Sequence, residues 1–160
     1  MHKLVPVQSA SQQREFDFVV RKLRMEDDEY HQSTFTPQHI PGNEYFILYY
    51  NNEISGFSAL EFHDSAVDFW ISVIPELRGN RHAFIFSIQT LNQALKCSDI
   101  HTIFSDVYIR NFSSLKLHFN IIDKYKGAVH RKSERVVTFN ISIEEYKKMS
   151  KKAKCIERGR

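Results

Sequence analysis

Three β-strands are predicted by residues 44–74, EYFILYYNNEISGFSALEFHDSAVDFWISVI. Glu44–Tyr50 and Ile54–Phe62 are rich in aromatic and β-branched residues, and they flank Asn51-Asn52-Glu53, a polar turn of hairpin length. Ala66–Ile74 follows as a third segment of the same kind. The three segments together predict an antiparallel meander, which forms the centre of the fold.

The sequence on either side of this meander predicts helices and further strands. Upstream, residues 16–23 alternate loosely and are rich in β-formers, which predicts a first strand, and residues 25–35 predict a polar helical stretch. Downstream, apolar residues recur at helical spacing between residues 82 and 96. The remaining predicted elements are a strand at 102–109, a short helix at 113–119, and a closing hairpin formed by 125–131 and 135–143. This order predicts a mixed sheet with helices packed against it and one parallel crossover. Gly56 within its strand predicts a bulge or a close backbone approach.

Composition restricts the class of protein. The 160 residues are 42% hydrophobic and 26% charged, with 13 Phe and 7 Tyr, which excludes disorder of the whole chain and predicts one domain over residues 1–146. No apolar run approaches the roughly 20 residues that span a bilayer, and the first residues lack an apolar leader. We therefore expect no membrane association and a cytoplasmic location. The oligomeric state is left open between a monomer and a homodimer.

The charge is concentrated at one end of a chain whose formal net charge is +3. Residues 147–160 carry Lys147, Lys148, Lys151, Lys152, Lys154, Arg158 and Arg160. The segment predicts a basic, disordered tail, and nucleic acid is one partner that such a tail can bind. Cys97 and Cys155 are far apart and predict free thiols, and no pair of histidines has the spacing of a zinc site, so we predict no metal.

Two short segments carry a resemblance to a known family. Arg78-Gly79-Asn80-Arg81-His82-Ala83, at a strand-to-helix junction, resembles the pyrophosphate-binding motif Q/R-x-x-G-x-G/A of the GCN5-related N-acetyltransferases. Asn111-Phe112-Ser113-Ser114-Leu115-Lys116-Leu117 is similar to the N-x-x-S-x-x-L signature of the same family. The resemblance spans roughly residues 19–143. It implies an α/β (α+β) fold with a mixed, mostly antiparallel central sheet flanked by helices.

The resemblance also implies acetyl-CoA as co-substrate. The backbone from Arg78 through Ala83, which includes Gly79, Asn80, Arg81 and His82, would surround the pyrophosphate at a helix N-terminus. Arg78 or Arg81 would add positive charge. Arg81 stands where the family has its first glycine, and its cation can contact a phosphate instead. Trp70 to Ile74, with Ile71 and Val73, would bind the pantetheine arm through strand amides. The Val73 N–H would stabilise the oxyanion, and Asn111 and Ser114 would hold the backbone beside the arm.

Transfer to an amine requires a base for the nucleophile and an acid for the departing thiolate. His118 directly follows the signature leucine, where the family often has a tyrosine acid, and is the candidate acid. Glu61 and Asp68 on neighbouring strands are the candidate bases, with Asp106 third. His31, His39 and Tyr30 fall in the polar segment that would line the acceptor cleft. A small amine, an amino sugar or a protein amine is the expected acceptor.

Other functions remain open on the same residues. The substituted glycine and the absent tyrosine are compatible with a degenerate, non-catalytic binding or structural protein of the same fold. The basic tail is compatible with a nucleic-acid-directed modification protein. Each motif also has a plain structural explanation, since a helix cap by itself selects Asn111 or Ser113.

Overall fold

The computed structural model describes residues 1–26, 42–78, 81–97 and 99–158, with side chains described except at residues 24–26 and 152–158. The strands are β1 (His2–Pro6), β2 (Glu44–Tyr50), β3 (Glu53–His63), β4 (Ala66–Val73), β5 (Thr102–Tyr108), β6 (Ala128–Arg131) and β7 (Val136–Ser142). The helices are α1 (Ala10–Glu26), α2 (Arg81–Ala94), α3 (Phe112–Tyr125) and α4 (Ile143–Arg158), and a one-turn 3-10 helix, Pro75–Leu77, follows β4.

In the described part of the chain the strands form one seven-stranded sheet in the order β1-β2-β3-β4-β5-β7-β6. The pairs β1–β2, β2–β3, β5–β7 and β6–β7 are antiparallel, whereas β4 and β5 are parallel. A mixed, mostly antiparallel sheet with helices is therefore confirmed, and so is the predicted crossover from β4 through α2 to β5. Strand β1 was absent from the sequence-based prediction.

The β2–β3 hairpin forms where the sequence predicts it. Asn51 and Asn52 have φ angles of 52° and 68°, the left-handed conformation that asparagine tolerates and that a tight hairpin turn requires. The register shifts between Leu48 and Tyr49, opposite Gly56. A Cβ on Gly56 would lie 2.1 Å from the Ser72 carbonyl oxygen, so this residue marks both a bulge and a close backbone approach, as predicted.

The chain forms two compact units. The first comprises Met1–Phe62 and Phe69–Gln93, and the second comprises His63–Asp68 and Ala94–Arg160. The core of the first unit has two clusters. One joins α1 to β2 and β3, and the other is formed by Leu48, Val73 and Phe86 of α2.

Residues 16–23 are helical, so the predicted first strand is wrong. The buried residues of the segment follow helical spacing: they are Phe16, Val19, Val20 and Leu23, each at most 3% exposed. Phe18, between them, is 63% exposed. The Phe16 ring packs on Tyr45 and Phe57, with centroids 5.4 and 5.6 Å away. Burial of each such side chain contributes about 1.5–3 kcal/mol, and this apolar face of α1 outweighs the β-propensity of its individual residues. The predicted helical stretch that follows falls mostly outside the described residues.

The second unit is built around β5 and β7. Ile103 and Val107 of β5 and Phe139 and Ile141 of β7 are buried, in the alternation expected of strands. Helices α3 and α4 meet through Tyr125 and Tyr146, whose rings stack with centroids 4.3 Å apart.

Two predicted boundaries differ at the end of the chain. Helix α3 continues to Tyr125, because Ile121 and Tyr125 extend its buried face beyond residue 119. Helix α4 covers most of the segment predicted to be disordered, and buried Ile143 and Tyr146 attach its first turns to the second unit. Lys147, Lys148 and Lys151 are exposed on this helix. None of the helices in the described part of the chain is long and apolar enough to cross a membrane.

Candidate functional site

The end of β4 and the start of α2 are linked by a turn fastened to the strand. Leu77 N–H donates to the Ile74 carbonyl and Arg78 N–H to the Pro75 carbonyl, each at 3.0 Å. The Arg78 Nε donates to the carbonyl oxygen of Val73 at 3.0 Å. Arg78 is therefore turned back toward the strand, where it fixes the position of the loop. Gly79 and Asn80, the next two predicted binding residues, lie outside the described residues.

The first turn of α2 presents the backbone donors that the family resemblance implies. Arg81, His82 and Ala83 open the helix, and the first N–H groups of a helix have no partner within it. This turn contains no acidic residue, although an acidic residue there would stabilise the helix dipole. Exposed Arg81 instead opposes the dipole. A cation at this position does not serve helix stability, but together with the N–H groups it suits a bound anion.

The backbone of β4 beside this turn has a defined direction. The N–H of Ile74 donates to the Ser55 carbonyl of β3 at 2.9 Å. Because successive N–H groups of a strand point to opposite edges, those of Val73 and Ile71 point away from β3. The parallel pairing with β5 runs from Ala66 to Asp68, and β4 continues beyond it to Val73. Ile71 and Val73 are the residues whose amides, by the family resemblance, would bind the co-substrate.

The predicted carboxylates occupy different environments. Glu61 is half-buried on β3, and Asp68 is buried on β4 with 8% exposure. Asp106 on β5 accepts hydrogen bonds from Lys132 Nζ and from Thr138 Oγ1. The Asp106 carboxylate is thus held by the turn between β6 and β7 and by β7 itself.

The N-x-x-S segment caps α3 in the second unit. Asn111 Oδ1 accepts from the Ser114 N–H at 3.1 Å, which is the geometry of a helix N-cap. One turn later His118 Nδ1 lies 2.8 Å from the Ser114 carbonyl oxygen. Since a carbonyl can only accept, Nδ1 carries the proton, and the neutral ring uses Nε2 to accept from Ser105 Oγ at 3.0 Å.

His118 is buried rather than exposed, with 5% of its surface accessible. Burial lowers its pKa to about 4, against a smaller opposing effect of the hydrogen bond to Ser114. The ring is therefore neutral at pH 7, and its only N–H is already donated. This arrangement fits a residue that positions α3 on β5 better than it fits a proton donor.

A histidine pair beside the α2 turn was not found from the sequence. His2 Nε2 and His82 Nδ1 are 2.9 Å apart, and the Tyr50 ring lies 4.3 Å from the His82 ring, centroid to centroid. Of these residues, only His82 was among the predicted site residues. No local signal could reveal the pair, because His2 and His82 are eighty positions apart and β1 was not predicted.

Comparison with known proteins identifies the fold. No protein-family model matches the sequence, and no curated protein is similar to it in sequence. Solved structures do match. The N-acetyltransferase PseH of Campylobacter jejuni, crystallised with acetyl coenzyme A, aligns with a TM-score of 0.63 at 19% identity, over 89% of this chain and 99% of that chain. The spermidine N-acetyltransferase of Vibrio cholerae, in complex with CoA and spermine, aligns with a TM-score of 0.68 at 13% identity, over 91% and 97%. An acetyltransferase of the GNAT family from Streptococcus pneumoniae aligns with a TM-score of 0.63 at 11% identity, over 88% and 99%.

Proposed function

We propose, from the premise that the chain has the fold of the GCN5-related N-acetyltransferases, that it transfers an acetyl group from acetyl-CoA to an amine. The observation that carries the proposal is the first turn of α2. It combines helix N–H groups, exposed Arg81 and no acidic residue at the end of β4, in a fold whose solved examples include complexes with acetyl coenzyme A and CoA.

The co-substrate is held by groups of the first unit. The N–H groups of Arg81, His82 and Ala83 receive the diphosphate, and the Arg81 guanidinium adds a charge-assisted contact. Arg78 supports this turn through its bond to Val73. The N–H groups of Ile71 and Val73 bind the arm and the thioester carbonyl, and a donor at Val73 stabilises the negative charge that develops on that oxygen.

The reaction is a direct transfer without a covalent enzyme intermediate. The nitrogen of a neutral amine attacks the thioester carbon, the carbon–sulfur bond breaks, the nitrogen loses a proton and the thiolate gains one. Glu61 or Asp68 accepts the proton from the amine, directly or through water. Within this proposal His118 is a positioning residue, because its neutral ring already donates its N–H to Ser114.

The acceptor is a compound with a primary amine. One of the similar structures is named for spermidine and was crystallised with spermine. A polyamine is therefore the first acceptor to test, followed by amino sugars and a peptide with a free N-terminus. His31, His39 and Tyr30, which the sequence places in the acceptor segment, lie outside the described residues.

A second candidate is a protein of this fold that binds CoA without catalysis. The burial of His118 favours it, because the position where the family often has an acid holds a residue unsuited to that role. The two candidates share the co-substrate site and differ only in turnover.

Calorimetric titration with acetyl-CoA, and with desulfo-CoA as a non-reactive analogue, tests the shared site. We expect binding that Arg81→Glu weakens by about tenfold or more, since a charge-assisted phosphate contact is replaced by repulsion. Arg21→Glu on the exposed face of α1 makes the same charge change and is the control. Absence of binding at millimolar acetyl-CoA would refute both candidates.

Release of CoA thiol in the presence of spermidine, an amino sugar or a peptide then separates them. Turnover above the rate without acceptor, reduced by Glu61→Gln or Asp68→Asn, supports the transferase. If acetyl-CoA binds but none of the three acceptor classes gives turnover, the non-catalytic candidate is supported.

A further inference from the structure

The histidine pair next to the α2 turn has surroundings that restrict its charge. The His2 ring packs on Tyr50 at 4.9 Å and edge-on against Phe86 at 4.9 Å, and the His82 ring packs on Tyr50 at 4.3 Å. Both rings are partly buried. The two imidazoles therefore share one hydrogen bond inside an aromatic cluster formed by β1, β2 and α2.

Such a pair can hold one additional proton and not two. In the neutral pair one ring donates its N–H and the other ring accepts with its lone pair. One proton from solvent can add to a ring nitrogen outside this bond, which leaves the bond intact and charge-assisted. Full protonation of both rings would place two N–H groups opposite each other and break it.

In the unliganded protein, the charged and titratable groups around the pair disfavour its protonation. Burial lowers the pKa of His2, and the charge on His82 lowers it further. From β2 the neighbour is Tyr50, and within α2 Arg81 directly precedes His82. Arg78, from the turn before α2, directs its Nε to Val73. The positive charges of Arg78 and Arg81 disfavour an additional positive charge on the pair, so they favour its neutral form.

We infer that the His2–His82 pair takes up one proton when the diphosphate of acetyl-CoA binds at the first turn of α2. The inference rests on the proposed function, because that function places the diphosphate there. His82 is the second residue of α2, so its imidazole is attached to the same turn whose N–H groups receive the anion. The negative charge of the diphosphate favours the imidazolium. By linkage, the co-substrate binds more tightly as the pH falls.

Titration calorimetry with 3′-dephospho-CoA between pH 6.0 and 8.0 tests this inference. The probe lacks the phosphate monoester, whose own protonation would otherwise contribute near pH 6. The binding enthalpy is measured in two buffers of different ionisation enthalpy, such as PIPES and imidazole. The difference between the two enthalpies gives the number of protons taken up. In the wild type we expect uptake approaching one proton and an affinity that rises by up to about tenfold per pH unit on acidification.

Substitutions of the two rings isolate the pair. His82→Gln and His2→Gln each leave one imidazole and should reduce proton uptake, whereas the double variant His2→Gln/His82→Gln should abolish it and flatten the affinity against pH. His101→Gln, an exposed histidine of the second unit, should leave both quantities unchanged. If a variant fails to fold, the ring signals of His2 and His82 in wild-type NMR titrations with and without the probe give the same information, because bound probe should raise the pKa of the pair.

The outcomes separate the two proposals. Probe binding without proton uptake, or with uptake that persists in the double variant His2→Gln/His82→Gln, overturns the histidine inference and leaves the proposed function standing. Absence of binding of the probe and of acetyl-CoA at every pH refutes the proposed function itself.

Discussion

Burial decides what a histidine can do in this protein. His118 directly follows the signature leucine, where the family often has a tyrosine, but its ring lies inside the second unit and hydrogen-bonds Ser105 and the Ser114 carbonyl. His82 lies at the start of a helix beside a second histidine. The two residues have the same chemistry in the sequence, yet the first is kept neutral and the second is placed where an anion would change its charge.

The stability of the protein should fall on acidification through the titration of His118. Its pKa is about 4 in the folded protein and near 6.5 in the unfolded chain, so between these values the unfolded chain binds more protons. The contribution of neutral His118 to the free energy of unfolding is on the order of 3 kcal/mol. It is fully present above pH 6.5 and is lost as the pH falls toward 4. Urea unfolding at several pH values measures it. His118→Gln should reduce the pH dependence over this interval, whereas exposed His130→Gln should not.

Gly56→Ala should destabilise the first unit strongly. The new Cβ would lie 2.1 Å from the Ser72 carbonyl oxygen, and the φ of 155° is unfavourable for alanine. We expect a loss of about 2–4 kcal/mol in the free energy of unfolding. Gly42→Ala is the matched control, because its φ of 96° is also positive but no atom lies within 4 Å of the added Cβ. Equal losses for the two variants would show that the contact with β4 has no energetic importance.

Helix α1 shows how a helix can be hidden by residues with high β-propensity. Its buried residues recur at intervals of three and four, and Ser9 with Gln12 forms a capping box. The Gln12 N–H donates to Ser9 Oγ at 3.3 Å, and the Ser9 N–H donates to Gln12 Oε1 at 3.0 Å. The pattern Ser9-x-x-Gln12 before the apolar residues was present in the sequence and would have indicated the helix.

Substitutions on the two faces of α1 should differ sharply. Val19→Asp places a carboxylate in the core of the first unit, where Val19 is 3% exposed, and should cost about 3 kcal/mol or more. Phe18→Asp changes a residue that is 63% exposed and should change stability by less than about 1 kcal/mol. Chemical unfolding of the two variants compares them. A strand at this position would reverse the order.

The N-cap of α3 allows the structural role of the N-x-x-S segment to be separated from co-substrate binding. Asn111→Ala removes the acceptor for the Ser114 N–H and should cost about 1 kcal/mol. Asn111→Asp keeps an acceptor oxygen and should restore most of that loss. If Asn111 only caps the helix, acetyl-CoA affinity measured by calorimetry stays at the wild-type value in the Asp variant. A reduced affinity in a fully stable Asp variant would indicate a binding role.

The order of the strands places the proposed site. Strand β4 is the last strand of the three-strand meander, and its parallel pairing with β5 covers only its first three residues. The residues of β4 after Asp68 lead to the turn before α2. The N–H groups of Ile71 and Val73 at the end of β4, and those of the first turn of α2, are therefore close to one another along the chain.

Binding of acetyl-CoA should stabilise the whole chain by mass action. At a concentration 100 times its dissociation constant, a ligand that binds only the folded state adds about 2.7 kcal/mol. Thermal unfolding with and without acetyl-CoA measures this effect, and Arg81→Glu, with about tenfold weaker binding, should lose about half of it at the same ligand concentration. A midpoint that stays constant up to millimolar acetyl-CoA would contradict the proposed co-substrate site.

The sequence by itself determined the elements that depend on neighbouring residues. The β2–β3 hairpin follows from Asn51 and Asn52 at its turn, α2 from its apolar period, and the positions of both motifs from the order of the elements. These features are local, because a turn conformation or a periodic face is specified within a few residues.

Only the tertiary structure decided which distant residues meet. The pairing of His2 with His82, the burial of His118 against Ser105 and the engagement of Asp106 by Lys132 each join separate elements. Helix α1 belongs to the same group, since its apolar face gains more by packing on β2 and β3 than its residues gain from strand propensity. Burial and long-range contacts set the charge and direction of these side chains, and neither quantity exists until the chain has folded.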